Sequence, residues 1–145
     1  DRLRRYFSSP GMQEQTPSDQ PFLSADYIFL NKLNTLLESE LSNPNLDIDD
    51  IDLMLSGRNG NSEDLAGFDT AEKLMKCTKL YYKHLSGDYF TASAFGFWVA
   101  CNVLRSGRIP QLLKPVGTPP EEVRNMLIYN QFRGKGQSLI LLQKV

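Results

Sequence analysis

Apolar positions change their spacing several times along this chain. Tyr27, Ile28, Leu30, Leu33, Leu36, Leu37 and Leu41 recur at intervals of three and four. That spacing predicts an amphipathic helix, capped by Ser24 and running to about Leu41. Asn43-Pro44-Asn45 ends it, because the residue before a proline is steered away from helical dihedrals. Residues 51–55 are a short apolar run of strand length. Residues 63–75 predict a second helix, with Gly67 as the point where it would break. Residues 76–79 predict another short strand, leading into a loop from Lys79 to His84. Residues 126–130 and 138–143 are two further apolar strands, and the glycine-containing link Gln131-Phe132-Arg133-Gly134-Lys135-Gly136 makes them an antiparallel hairpin. Residues 1–23 carry Pro10, Gly11, Pro17 and Pro21 among polar residues and read as an extended arm.

One stretch dominates the pattern. Between residues 92 and 104 only Ser93, Gly96 and Asn102 interrupt an apolar run. A helix apolar nearly all round must be covered on nearly all sides. At about 1.5 Å per residue it spans roughly 20 Å, too short for a bilayer, so it predicts a buried central helix. Gly107 stops it, with Arg105 and Arg108 near its negative end. Lys79 and His84 precede it, at the mouth of the packed core. The order is α-β-α-β-α-β-β, which predicts an α/β fold: a mixed sheet with helices on its faces, a buried central helix and a C-terminal β-hairpin.

Composition narrows the classes. The chain has 145 residues, 41% hydrophobic and 10% aromatic, enough for one domain with a core. Its net charge of -1 supplies no field to recruit nucleic acid or an anionic membrane. No apolar stretch predicts a membrane span or a signal peptide. Cys77 and Cys101 both fall in elements predicted to be buried and read as small apolar residues rather than a disulfide framework, which makes a reducing, cytoplasmic setting the expectation. Asp47, Asp49, Asp50 and Asp52 are interrupted by Ile48 and Ile51, and lack the glycine and distal glutamate of a calcium loop, so they predict a turn entering a strand. The loop Ser56-Gly57-Arg58-Asn59-Gly60-Asn61-Ser62 permits close backbone approach, but lacks the Gly-Lys-Ser/Thr ending of a phosphate-binding loop. Arg2, Arg4 and Arg5 form a small basic cluster, read as part of a solvated tail.

The order of these loops over residues 24–145 resembles the C-terminal half of a β-ketoacyl synthase, a condensing enzyme of the thiolase fold. Residues 37–55, with Asp49-Asp50-Ile51-Asp52, resemble the helix, turn and strand ahead of the family's His-Gly-Thr loop. Ser56-Gly57-Arg58-Asn59-Gly60 with Asp64 stands in place of that loop. Thr78-Lys79, His84 and Gly87 resemble the Thr-Lys…Gly-His…Gly segment. The helix ending in Gly107-Arg108-Ile109-Pro110 resembles the central helix and its exit. Asn130-Gln131-Phe132 with the following glycine loop resembles the Asn-Ser-Phe-Gly-Phe-Gly-Gly hairpin.

The resemblance implies a thiolase-like half-domain in which helices lie between two sheets. It implies decarboxylative condensation in fatty acid or polyketide synthesis, using a cysteine nucleophile on the other half, an acyl carrier protein as partner, and neither cofactor nor metal. Carried over by position, His84 would polarise the thioester carbonyl, Lys79 would hold the local charge network, and Asn130 and Phe132 would shape the acyl pocket. Ser56 occupies the place of the first catalytic histidine, and it can donate one hydrogen bond but cannot carry an imidazolium charge. Ser93 stands where an acid would pair with Lys79, and Arg133 and Lys135 replace a glycine and a gating phenylalanine. Three readings follow: part of a ketosynthase completed by an N-terminal half; a non-catalytic partner subunit that shapes the pocket of an active one, as a chain-length factor does; and an interaction module unrelated to either.

Overall fold

A computed structural model describes residues 25–38, 46–133 and 136–144. The predicted arm at 1–23 and Leu41 lie outside them. In chain order the elements are α1 (Ala25–Leu37), β1 (Leu53–Ser56), α2 (Ser62–Leu74), β2 (Thr78–Tyr81), the short α3 (Lys83–Ser86), α4 (Ala92–Ser106), β3 (Asn125–Phe132) and β4 (Gly136–Gln143). Two single 3-10 turns, Ile48–Asp50 and Gln111–Leu113, lie before β1 and after α4. The expected order of helices and strands is present, with α3 added where a loop was expected.

The sheet is mixed, with strand order β2-β1-β3-β4. β1 is parallel to both β2 and β3, Leu55 lying opposite Leu80 on one side and Ile128 on the other. β3 and β4 are antiparallel, with Phe132 opposite Gly136 at the turn. All four residues of β1 are buried, as expected for a strand covered on both faces. One face carries Met54, Leu127 and Tyr129 against Phe29 and Leu33 of α1 and Phe68 and Ala71 of α2. Tyr129 is at the centre of this layer, edge-on to Phe29 at 5.2 Å and to Phe68 at 5.5 Å between centroids. The other face carries Leu53, Leu55, Leu80, Met126 and Ile128 against Val99, Ala100, Val103 and Leu104 of α4. The result is three layers with two separate apolar cores.

Several sequence expectations shift. β1 and β2 start two residues later than expected, so Ser56 and Tyr81 are strand residues. α1 stops at Leu37. α2 runs unbroken through Gly67; a Cβ there would meet Gln131 Oε1 at 2.0 Å, so the glycine serves close packing, not a break. The aspartates before β1 are consumed locally. Asp47 caps the first 3-10 turn in a capping box with Asp50, and Asp52 accepts the backbone N–H groups of Arg124 and Asn125, both at 2.8 Å. Gly107 ends α4 in the left-handed conformation, φ 66°, as expected.

The largest correction concerns α4. The sequence predicts a helix covered nearly all round, yet the described residues bury only one face of it. Trp98 is 61% exposed, Phe97, Ala94 and Cys101 are exposed beside it, and Phe90 just before the helix is 98% exposed. Cys101 is therefore no core residue, while Cys77 is half-buried. Leu85, Tyr89, Leu112 and Val116 are exposed as well. An apolar patch of this kind marks an interaction surface or an aggregation liability. The 145-residue chain should bind a hydrophobic dye or self-associate, and Phe97→Lys with Trp98→Lys should abolish both while changing stability by less than about 1 kcal/mol. A dye-silent monomer in sedimentation, or a double variant that unfolds, would show that this face is already covered within the chain.

Candidate functional site

Three parallel strands end at the same edge, so the loops after β1, β2 and β3 converge. The chain leaves β1 through α2 on one face and reaches β3 through α4 on the other. Between the C-terminal ends of β1 and β3 the order therefore reverses, and open α/β sheets bind ligands at such a point. A cleft of about 700 Å³ opens there. Asn59, Asn61 and Asp64 line it from the β1 side, Lys83, Asp88 and Tyr89 from the β2 side, and Asn130, Gln131 and Phe132 from β3. Arg133, Gln137 and Ser138 complete it from the hairpin.

Close packing places these groups. A Cβ at Gly57 would lie 1.8 Å from Asn130 Oδ1, and one at Gly96 would lie 2.7 Å from the Tyr82 ring. With both glycines in place, the Tyr82 hydroxyl reaches Asn130 Oδ1 and donates at 2.7 Å. Asn59 Nδ2 donates to Asp64 Oδ2 at 3.1 Å and to Asp88 Oδ2 at 2.9 Å. Lys83 Nζ pairs with Asp88 Oδ1 at 2.7 Å. Bonds from Lys83 and Asn59 hold the Asp88 carboxyl below its ordinary pKa. Gln131 is buried and its Nε2 donates to the Asp64 carbonyl.

Three atoms are left over. Asp64 Oδ1, Asn130 Nδ2 and Gln137 Oε1 are buried and have no hydrogen-bond partner among the described residues. Each such atom costs about 1–3 kcal/mol of uncompensated desolvation. All three belong to residues that line this cleft.

The residues expected at the site are only partly brought together. Asn130 and Phe132 line the cleft. Ser56, Lys79 and His84 are engaged elsewhere. Ser56 is fully buried on the α2 face, where its hydroxyl donates to Glu72 Oε1 at 2.7 Å and accepts from the Arg58 N–H at 3.3 Å. Lys79 Nζ donates to the carbonyl of Met75, which caps the end of α2, at 2.6 Å. The His84 ring sits on α3 and its Nε2 donates to the Leu112 carbonyl at 2.7 Å, tying α3 to the second 3-10 turn. Among the described residues lining the cleft there is neither cysteine nor histidine. Burial pushes the Cys77 thiol up to about 11, which leaves it protonated near neutrality.

Sequence reasoning missed the group that engages Ser56. The Glu72 carboxylate accepts from Ser56, from Arg58 Nε and Nη2 at 3.1 Å each, and from the Tyr81 hydroxyl at 3.0 Å. Arg58 also pairs with Asp69. One carboxylate on α2 thus binds the end of β1, the following loop and the end of β2. The spacing of Asp69 and Glu72, three apart on one helical face, was the available signal. Their common partner, Arg58, was not visible without the fold. Compared with protein-family models, with curated proteins and with solved structures, the chain matches none of them.

Two predictions follow from these networks. Glu72→Ala strands two hydroxyls and a guanidinium at once. Because Arg58 keeps a quarter of its side chain in solvent, the expected loss is about 2–3 kcal/mol by urea denaturation, with Glu72→Gln costing less. An unchanged midpoint would rule the clamp out. Burial, the largest cause, pushes the hydroxyls of Tyr81, Tyr82 and Tyr129 from 10.0 up to about 12. The folded state therefore holds these protons more tightly than the unfolded state. Their contribution is fully present below pH 10 and is lost as pH rises toward 12. Urea midpoints should fall across that window, with Tyr82→Phe weakening the slope; a flat profile would exclude the linkage.

Proposed function

We propose that residues 24–145 form a ketosynthase-like half-domain that acts as a non-catalytic partner, docking through α4 onto a complementary half and supplying one wall of an acyl pocket. The observation that carries this reading is the open apolar face of α4. The helix has apolar side chains on both sides, but among the described residues only one of those sides is packed against a core. A second layer packed on Phe97, Trp98 and Cys101 would remove that surface from water. The position of Asn130 and Phe132 on the cleft at the strand ends supports their part in pocket shaping.

The bonds made by Ser56, Lys79 and His84 favour the partner reading over the catalytic one. Donors that stabilise a developing oxyanion must aim at one point in space. Here the Ser56 hydroxyl is directed to Glu72, the Lys79 ammonium to a helix end, and the His84 ring to a loop carbonyl. In the catalytic alternative, an acyl-carrier-protein-dependent β-ketoacyl synthase, a cysteine of the complementary half would form the acyl thioester and His84 would have to exchange its bond to Leu112 for one to the substrate.

Native and denaturing mass spectrometry of the protein from its own source tests the proposal. A larger chain, or a second chain that co-purifies, is the expected result. An acyl probe that fails to label that half supports the partner, and a labelled cysteine supports the enzyme. A lone 16.5 kDa species would remove both readings and leave a plain interaction module.

A further inference from the structure

The sheet has two edges, and only one of them is closed among the described residues. At β2, Lys79 and Val116 exchange both backbone hydrogen bonds, each at 2.9 Å, so the chain beyond the second 3-10 turn covers that edge. Among the described residues nothing does the same at β4. The pairing with β3 fixes where its backbone groups point. In an antiparallel pair, residues that bond to the neighbour alternate with residues whose N–H and C=O point away. The Gly57 N–H donates to the Tyr129 carbonyl at 2.8 Å, so Tyr129 bonds toward β1 and its β4 partner, Leu139, is left facing outward. The Lys144 N–H donates to the Arg124 carbonyl at 2.8 Å, which turns Leu142, Ile140 and Ser138 toward β3 as well. Both bonds give one phase: Gln137, Leu139, Leu141 and Gln143 present their backbone groups to the open edge. Lys32 Nζ of α1 takes the Gln137 carbonyl at 2.9 Å. The outward groups of Leu139, Leu141 and Gln143 have no partner among the described residues.

Proteins blunt an exposed edge with a proline, a bulge or an inward-pointing charge. β4 has none of these: it reads Gly-Gln-Ser-Leu-Ile-Leu-Leu-Gln and pairs with β3 without a break over its 8 residues. Cations lie at its two ends. Lys32 is at Gln137, and at the other end Lys144 and Arg124 share the one acid Glu122. Between them Ile140 is 37% exposed, and Leu139 and Leu141 are half-buried.

We propose that the edge of β4 accepts an extended segment of a partner protein as an added strand, apolar in its middle and acidic at both ends. Donor and acceptor groups repeating about every 6.8 Å along a line match an extended polypeptide backbone, which carries the same repeat. The added strand covers Ile140, and its terminal carboxylates meet Lys32 at one end and Lys144 at the other. A second copy of β4 fits less well: antiparallel self-pairing brings the Lys32 end of one copy against the Lys144 end of the other, and like charges across a strand pair oppose it. The inference rests on the strand register and the end charges. It involves neither the outer face of α4 nor the ketosynthase reading.

The test uses the full chain, isotope-labelled, with amide hydrogen exchange followed by NMR. In the free chain the amides of Leu139, Leu141 and Gln143 should exchange at least about tenfold faster than those of Ile140 and Leu142. Equal protection of the two sets would overturn the inference, because the edge would then be covered already. The probe is the peptide acetyl-Glu-Thr-Val-Ile-Val-Thr-Glu-amide, which should slow the exchange of the three outward amides. With lysine at both ends the peptide should bind about tenfold more weakly, and equal affinity would overturn the acidic partner. The valine and isoleucine amides of an extended peptide lie on opposite edges. N-methylating the two valines or the isoleucine should therefore abolish binding in one case and spare it in the other; equal effects would exclude strand addition without any change to the protein. Leu141→Pro removes an N–H that the β3 pairing does not use, and should abolish binding while the remaining spectrum stays folded. No protection by the peptide would overturn the inference. So would a dimer that Leu141→Pro dissociates, which would assign the edge to a second copy.

Discussion

The structure depends on a four-residue strand from which almost no surface reaches water. Leu53 and Leu55 face one core, Met54 and Ser56 face the other, and both strand edges are hydrogen-bonded. A strand this short cannot bury itself; it needs a parallel neighbour on each side and a helix on each face. Parallel neighbours need crossover connections. β1 leads on toward β2 on one side and β3 toward β4 on the other, so the loops that follow β1 and β3 part in opposite directions. The cleft between them is a consequence of covering β1.

Placing a serine at the end of that strand has its own consequence. A hydroxyl on the covered face of β1 must find a partner, and Glu72 is the acceptor within reach. A carboxylate there needs a cation, and Arg58 from the following loop supplies it in a bidentate arrangement. The loop is thereby held against α2. Its next residues, Asn59 and Asn61, turn toward Asp64 and the cleft. The polar groups at this end of the sheet thus divide into a closed network on the α2 face and an open one at the strand ends. Only the open one retains unpaired atoms.

α4 shows a different balance. Its inner face closes the second core, while its outer face presents Phe97 and Trp98 to solvent, Trp98 stacked on Phe95 at 5.9 Å. The only charge on the helix is Arg105 in its last turn. Such a surface gains nothing from contact with water.

The elements and their order were legible from apolar periodicity, because each helix and strand buries a face whose spacing the chain must respect. The hairpin, the stop at Gly107 and the mixed sheet followed from local chemistry for the same reason. Phe29 escaped the periodic pattern although it is fully buried, since its place is set by the Tyr129 ring across the sheet. The two strand starts were misplaced by two residues because register depends on the partner strand. Asn130 and Phe132, named from the sequence, line the cleft, while the partners of Ser56, Lys79 and His84 were not legible: Ser56 and His84 bond to groups brought near only by folding, Glu72 on α2 and a carbonyl of a turn beyond α4, and Lys79 bonds to the carbonyl of Met75, four residues before it at the end of α2. By itself the sequence determined the order of the longer helices and the strands and that one helix is apolar on both sides. Tertiary structure alone decided which of those sides is covered and which polar atoms are left unpaired, because burial and hydrogen bonding are properties of neighbours that sequence separation does not reveal.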